Sequence, residues 1–231
     1  MKIRYIILII NVVCVSCVSK KIPKIARIDG YEYVDLGLPS KLKWATYNIG
    51  AECEVDTGLY FSWGEILPKK DYSCETYKWG DIANSAAFSL KYTKYVKISE
   101  KDTNITLEKS DDAATVNWGK NWRMPTTEEQ RELIDNCDWE WTDNYKGTKV
   151  SGHIGTSREN GKSIFSPSVS FFFDSTTFDS GVISCYWSSS LGRLGDDDAF
   201  ILLLRNNEND VLWHYNDRCF GVCVRAVSDK K

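Results

Sequence analysis

The stretch Asn121-Trp122-Arg123-Met124-Pro125-Thr126-Thr127-Glu128-Glu129 constrains the backbone more than any other in this chain. A strand-like Trp-Arg-Met runs into Pro125, whose ring fixes φ and pre-sets the turn. Thr126 stands three residues ahead of Glu129, which is the spacing of a capping box. In that arrangement the Thr126 hydroxyl accepts from the Glu129 amide, and the Glu129 carboxylate accepts from the Thr126 amide. Leu133 and Ile134 supply a short apolar stripe and Asn136 a stop, so a helix is predicted over residues 127–136.

The chain around this turn reads as short pieces. Residues 110–119 combine a cap-like start, acids at the head and a terminal glycine, which predicts a second brief helix. β-Branched and aromatic runs predict strands at 33–36 and 42–46, about the Gly37-Leu38-Pro39-Ser40 turn, and an extended piece at 58–64. Further strands are predicted at 163–165, 168–173, 182–188, 199–205, 211–215 and 220–227, with polar connections at 191–198 and 206–210. Residues 65–105 lack periodicity and form a long excursion, a kind of segment that often carries function. Short strands with polar turns and two brief helices beside them give an α+β fold. At 231 residues the chain suits one domain, and its 13% aromatic content favours a loop-rich core packed largely by rings.

Lys2 and Arg4 precede an apolar run over residues 6–15, too short for a membrane span and suited to a secretory signal. Val15-Ser16-Cys17 resembles a bacterial lipobox, with Cys14 where leucine usually stands. Residues 1–16 are then a signal peptide, Cys17 carries lipid, 17–29 is a tether and 30–231 the folded domain. A plain signal peptide or a retained anchor are the alternatives. Loss of Lys2 and Arg4 removes two positive charges from a formal net charge of −3, giving −5. An acidic domain without a basic stripe is a poor nucleic-acid binder. Lys20, Lys21, Lys24 and Arg27 cluster beside the expected anchor, as a membrane-proximal tether would. Membrane contact is expected through the lipid alone. Cys53, Cys74, Cys137, Cys185, Cys219 and Cys223 remain in the domain, where disulfides and buried thiols both fit and the pairing stays open. Cys219-x3-Cys223 lacks zinc spacing and the chain has only His153 and His214, so neither a metal nor another cofactor is expected.

Seven blocks carry a resemblance to a known family. They are 33–40 (Tyr-Val-Asp-Leu-Gly-Leu-Pro-Ser), 42–51 (Leu-Lys-Trp-Ala-Thr-Tyr-Asn-Ile-Gly-Ala), 60–65 (Tyr-Phe-Ser-Trp-Gly-Glu), Asp111-Asp112-Ala113-Ala114 through Trp118-Gly119, 122–126, 186–190 (Tyr-Trp-Ser-Ser-Ser) and 221–227 (Gly-Val-Cys-Val-Arg-Ala-Val). In this order they resemble the Fibrobacter major paralogous domain of secreted and lipid-anchored proteins of gut bacteria. That family is similar in turn to the C-type-lectin-like superfamily, which includes formylglycine-generating enzymes. There an Arg-Leu-Pro-Thr-like turn opens a helix and a Gly-Phe-Arg-like strand closes the domain. The resemblance implies a C-type-lectin-like fold, with short helices on small twisted antiparallel sheets. It also implies a lipid-anchored place in the envelope of a Gram-negative bacterium, and a non-catalytic role in adhesion or in recognition of a glycan or surface protein. Trp44, Trp118, Trp122, Arg123, Pro125, Thr126, Trp187, Gly221 and Arg225 then serve the framework. Tyr47 stands where relatives commonly have cysteine. The Glu-Pro-Asn and Trp-Asn-Asp motifs of calcium-dependent lectins are missing, so that mode of sugar binding is not implied.

No catalytic set stands out from the residues themselves. Trp187-Ser188-Ser189-Ser190 has neither a Gly-x-Ser-x-Gly elbow nor a histidine tied to it by pattern. Asp196-Asp197-Asp198 lacks EF-hand spacing and reads as a solvated acidic turn. Cys219 and Cys223 are similar to the copper-binding pair of formylglycine-generating enzymes with a spacing one residue different, which keeps an oxidase of that type as an alternative. A structural or fimbria-associated envelope component is the other. The ligand surface is expected near the C-terminal strands, from Arg193, Asp196, Asp197, Asn206, Asn207, Trp213, Tyr215, Asp217 and Arg218. Trp and Tyr beside Arg and Asp suit sugar stacking or a protein hot spot. Trp213 and Tyr215 share one face of a strand, with His214 on the other. If their face is the core, the site loses its anchor.

Overall fold

A computed structural model of the chain describes residues 26–86, 89–97, 105–178, 181–192, 196–206 and 211–230, with backbone alone for 82–86, 89–90, 177–178 and 211–215. The expected signal peptide and Cys17 lie outside the described residues, as do Arg193 and Asn207.

Strands β1 (Arg27–Ile28), β2 (Tyr31–Asp35), β3 (Lys43–Ala45) and β4 (Tyr60–Phe61) open the chain. A 3-10 turn at Cys74–Thr76 and the hairpin β5 (Gly80–Ala86) and β6 (Ser89–Tyr92) occupy the long excursion. Helices α1 (Ala113–Trp118) and α2 (Thr127–Asp135) follow, then β7 (Cys137–Thr142), β8 (Gly152–Ser157), β9 (Ser163–Pro167), β10 (Phe171–Phe173) and β11 (Thr176–Phe178). The chain closes with β12 (Ile183–Leu191), β13 (Asp198–Arg205), β14 (Val211–Asp217), β15 (Val222–Cys223) and β16 (Val227–Ser228).

These strands form small antiparallel sheets, with β12 and β15 the parallel exception. One sheet runs β14-β13-β12-β15-β4, a second β1-β2-β3-β16 and a third β7-β8-β9. The chain therefore enters and leaves the fold through one sheet. The expected tether to residue 29 ends earlier, because Arg27 and Ile28 pair with Glu32 and Tyr31 and Ile28 is buried.

The core explains the longest apolar run. Residues 199–204 are buried on both faces of β13, which is why they read as a continuous hydrophobic stretch rather than an alternation. Ala199, Ile201 and Leu203 join Trp63, Trp122 and Trp187 in one cluster. Leu202 and Leu204 join Trp44, Cys137 and Leu133 of α2 in another. The helix predicted at 110–119 shortens to 113–118, because Asp112 is its N-cap and the acids stand before the first turn. The strands at 137–142 and 152–157 had no counterpart in the sequence reading.

Candidate functional site

The 121–126 turn is bonded on every side. Trp122 is fully buried and its indole N–H donates to the Ile28 carbonyl at 3.2 Å. Arg123 exchanges both backbone hydrogen bonds with Val227, at 3.0 and 2.9 Å, so the turn adds a rung to β16. Thr126 caps α2 in a complete capping box: its hydroxyl accepts from the Glu129 amide at 3.3 Å, and its amide donates to Glu129 Oε2 at 2.8 Å.

Arg123 spends all five of its N–H donors. Two go to Glu129 at 2.6 Å each, two to Asp229 at 3.1 Å each and one to the Met124 carbonyl at 3.2 Å. Asp112 accepts from the Thr115 amide, capping α1, and from the Met124 amide, both at 2.8 Å. Burial raises its pKa, opposed by those amides. The serines behind the turn are bonded too. The Pro125 carbonyl accepts from the Ser189 amide at 2.7 Å and its hydroxyl at 3.2 Å, while Ser190 and Ser188 meet Thr127 at 3.2 and 3.3 Å.

A cleft of about 350 Å³ lies at this turn, with buried Trp122 and Met124 beneath it and Thr106, Lys109, Lys120 and Asn121 at its rim. The segment carrying Thr106 and Lys109 is held against β12, where Leu107 donates to the Ser189 carbonyl at 2.9 Å.

Among the described residues, those expected to bind ligand near the C-terminal strands are not gathered at one place. Asp196, Asp197 and Asp217 lie at one end of the β13–β14 pair, where Asp198 stands opposite Asp217. Asn206 follows the other end of the eight-residue β13, roughly 26 Å away at ~3.3 Å per residue. Trp213 is set opposite Leu202 and Tyr215 opposite Phe200, and Leu202 is buried with Leu133 of α2. The side chains of Trp213, His214 and Tyr215 lie outside the described residues.

Arg218, expected at the ligand surface, is instead fully buried and belongs to the framework. It donates to the Tyr77 hydroxyl at 3.1 Å and to the carbonyls of Asp196, Lys94 and Tyr95 at 2.8, 2.9 and 3.4 Å. Its guanidinium also sits 4.4 Å from the Tyr92 ring centroid, 5.0 Å from Trp63 and 5.4 Å from Tyr77. The neighbouring Trp79 ring carries Lys78 and Lys94 at 4.1 and 5.1 Å. These ring faces already hold the chain's own cations, so they do not offer a stacking platform.

Asp198 is buried, and its pKa is pushed up to about 6 by that burial and by the charge of Asp197. Among the described residues its Oδ1 has no hydrogen-bond partner, and it lies against Gly192, where an added Cβ would come within 1.6 Å. Among the described residues no group of three or more His, Cys, Asp or Glu side chains is placed to hold a metal ion.

Cys219 forms a disulfide with Cys74. Cys223 is a buried thiol whose pKa burial pushes up to about 12, with its S–H donating to the Thr57 carbonyl at 3.4 Å. The two cysteines that the oxidase alternative uses are thus not a thiol pair. Cys137 and Cys185 are buried free thiols, and Cys53 is exposed. The sequence reading singled out the turn as framework and missed Lys109 and Lys120, which stand in no motif. No family model, curated protein or solved structure matches the chain.

Proposed function

We propose that this chain is a non-catalytic recognition module of the cell envelope, lipid-anchored through Cys17, that engages a glycan or a surface protein. The reading is carried by the cleft at the 121–126 turn. The side chains there with chemical capacity are consumed in framework bonds: Arg123 has no donor left, Asp112 caps a helix, and the serines stitch β12 to α2. Exposed polar side chains remain at the rim of a rigid floor, which is how binding sites are commonly built.

Two features support the wider setting. The Cys74–Cys219 disulfide suits an exported protein, since such bonds persist in oxidising compartments. The pairing of the helix-opening turn with the closing strand β16 suits a C-type-lectin-like framework and the resemblance to the Fibrobacter major paralogous domain. An oxidase of the formylglycine-generating type would need Cys219 free.

The test is an array of glycans and surface proteins probed with the purified full chain in detergent, with and without chelator. Binding to a discrete set, unchanged by chelator, is expected. A silent array together with oxidase activity on thiol peptides would refute the reading.

A further inference from the structure

We propose that the cleft at the 121–126 turn takes a small polar ligand bearing a carboxylate or sulfate group, held by Lys109 and Lys120; this rests on the recognition reading above. Three cations and three acids line the cleft: Lys109, Lys120 and Arg123 against Asp112, Glu129 and Asp229. Their charges cancel, but their free valences do not. Both Asp112 oxygens accept backbone amides. Both Glu129 oxygens accept from Arg123, and one also takes the Thr126 amide. Both Asp229 oxygens accept from Arg123, which saturates the arginine.

Lys109 and Lys120 are exposed and make no ion pair with the described residues. Asp29, the acid that feels the Lys120 charge, is bonded to Asn121 at 2.8 Å and to Lys230 at 3.4 Å. Two ammonium groups without a hydrogen-bonded acid are therefore the free charged donors of the cleft, and an oxyanion is what they recognise.

The remaining geometry narrows the ligand. One side-chain N–H of Asn121 is committed to Asp29, which leaves the other to donate to, and Oδ1 to accept from, a ligand hydroxyl. The N-terminus of α2 is a poor anion site, because its Thr127 and Glu129 amides are already bonded to Ser190 and Thr126. Trp122 is fully buried, so its ring face is not open for stacking. A volume of about 350 Å³ sits at the low end of the roughly 300–1,000 Å³ of ligand clefts. It has room for one hydroxylated ring or hydroxy-acid and not for an extended peptide.

The test is calorimetric titration of the full chain in detergent with glucuronate, glucose 6-sulfate, an oligoglucuronide and glucose. The three acidic probes are expected to bind, more weakly as salt rises, and glucose is not. The double variant Lys109→Gln/Lys120→Gln should lose about a hundredfold in affinity, the loss of two charge-assisted contacts, with an unchanged melting temperature. Lys70→Gln, exposed and outside the cleft, should bind as the parent does. An oligomer that outbinds glucuronate would assign the anion to a polysaccharide, and equal binding would assign it to a free small acid; either supports the proposal. Failure of the acidic probes, equal binding of glucose, or full affinity in the double variant would overturn it and leave the recognition reading standing. A silent glycan and protein array would overturn that reading itself.

Discussion

Arg218 and Arg225 are buried cations that make no ion pair with a carboxylate among the described residues. Arg225 donates to Asn48 Oδ1 at 2.7 Å and to the carbonyls of Thr46 and Ala45 at 3.0 and 3.2 Å, and burial lowers its pKa. Backbone carbonyls and ring faces do what an acid would do elsewhere, and they leave no mark in a sequence. That is why Arg218 was legible only as a polar residue near a surface turn. Gly221 shows the same closeness of packing without charge. A Cβ there would lie 2.7 Å from the ring of buried Tyr72. Gly221→Ala is therefore expected to cost about 1–3 kcal/mol, read from the denaturant midpoint, and a silent substitution would show that Tyr72 can move. Asp198 gives the pH counterpart. Asp197 and Asp217 oppose its charge, Lys97 and Arg218 favour it, and its folded-state pKa of about 6 lies above the ordinary 3.8. Its contribution to stability is thus fully present below about pH 4 and lost as pH rises through about 6. Asp198→Asn removes the charge and keeps the shape. It should stabilise the protein by up to about 3 kcal/mol at pH 8 and leave it unchanged at pH 4. Urea midpoints at the two pH values check this, and an equal gain at both would rule out the carboxylate as the cause.

At the scale of elements, the start of α2 is where sequence and structure agree most closely. The capping box was legible because its partners are three residues apart. Thr126→Ala should cost about 1 kcal/mol, with Thr126→Ser recovering most of it. Arg123→Lys loses the fork that grips Glu129 and should cost about 1.5–3 kcal/mol. Asp229→Asn should cost less than about 1 kcal/mol, because that side chain is 69% exposed. Denaturant midpoints order the three, and parity of Arg123→Lys with Asp229→Asn would place the strength of the clamp on the C-terminal arm. The strands that escaped the reading depend on partners far along the chain. β7 alternates Cys137, Trp139 and Trp141 with Asp138 and Glu140, but its ring finds room only because Gly155 faces it, where a Cβ would come 2.7 Å from Trp139. β16 has two residues and is a strand only through Trp44 and Arg123.

At the scale of the whole molecule, the expected C-terminal site divides because a strand has length. Residues 196–197 and 206 flank β13, and the sequence-predicted strand at 199–205 already implied their separation. The cleft was legible only in its floor, since Trp122 and Arg123 belong to a motif and the lysines at its rim do not. The pairing of Cys74 with Cys219 was not legible at all, for the two are 145 residues apart. That distance sets what the bridge does. It fastens the partly exposed Cys74 of the excursion to the fully buried Cys219 just before β15. The native excursion has other anchors, since the Tyr72 hydroxyl donates to the Tyr60 carbonyl and the Tyr77 hydroxyl to the Trp63 carbonyl, both at 2.7 Å. The bridge therefore acts chiefly on the unfolded chain, where closing so long a loop is worth about 5 kcal/mol by chain entropy and about 2–5 kcal/mol in practice. Cys74→Ala/Cys219→Ala should melt on the order of 10 °C below the parent. The reduced parent should melt with the variant in differential scanning calorimetry. Binding of the acidic probes should survive, because the cleft walls hang on Ser189 and Val227, and the excursion's own hydrogen bonds to Glu108 and Asp111 come from Lys94 and Tyr95, some twenty residues past Cys74. A variant that melts with the oxidised parent would show that the anchors alone fix the excursion. A variant that folds but no longer binds would move part of the site onto it.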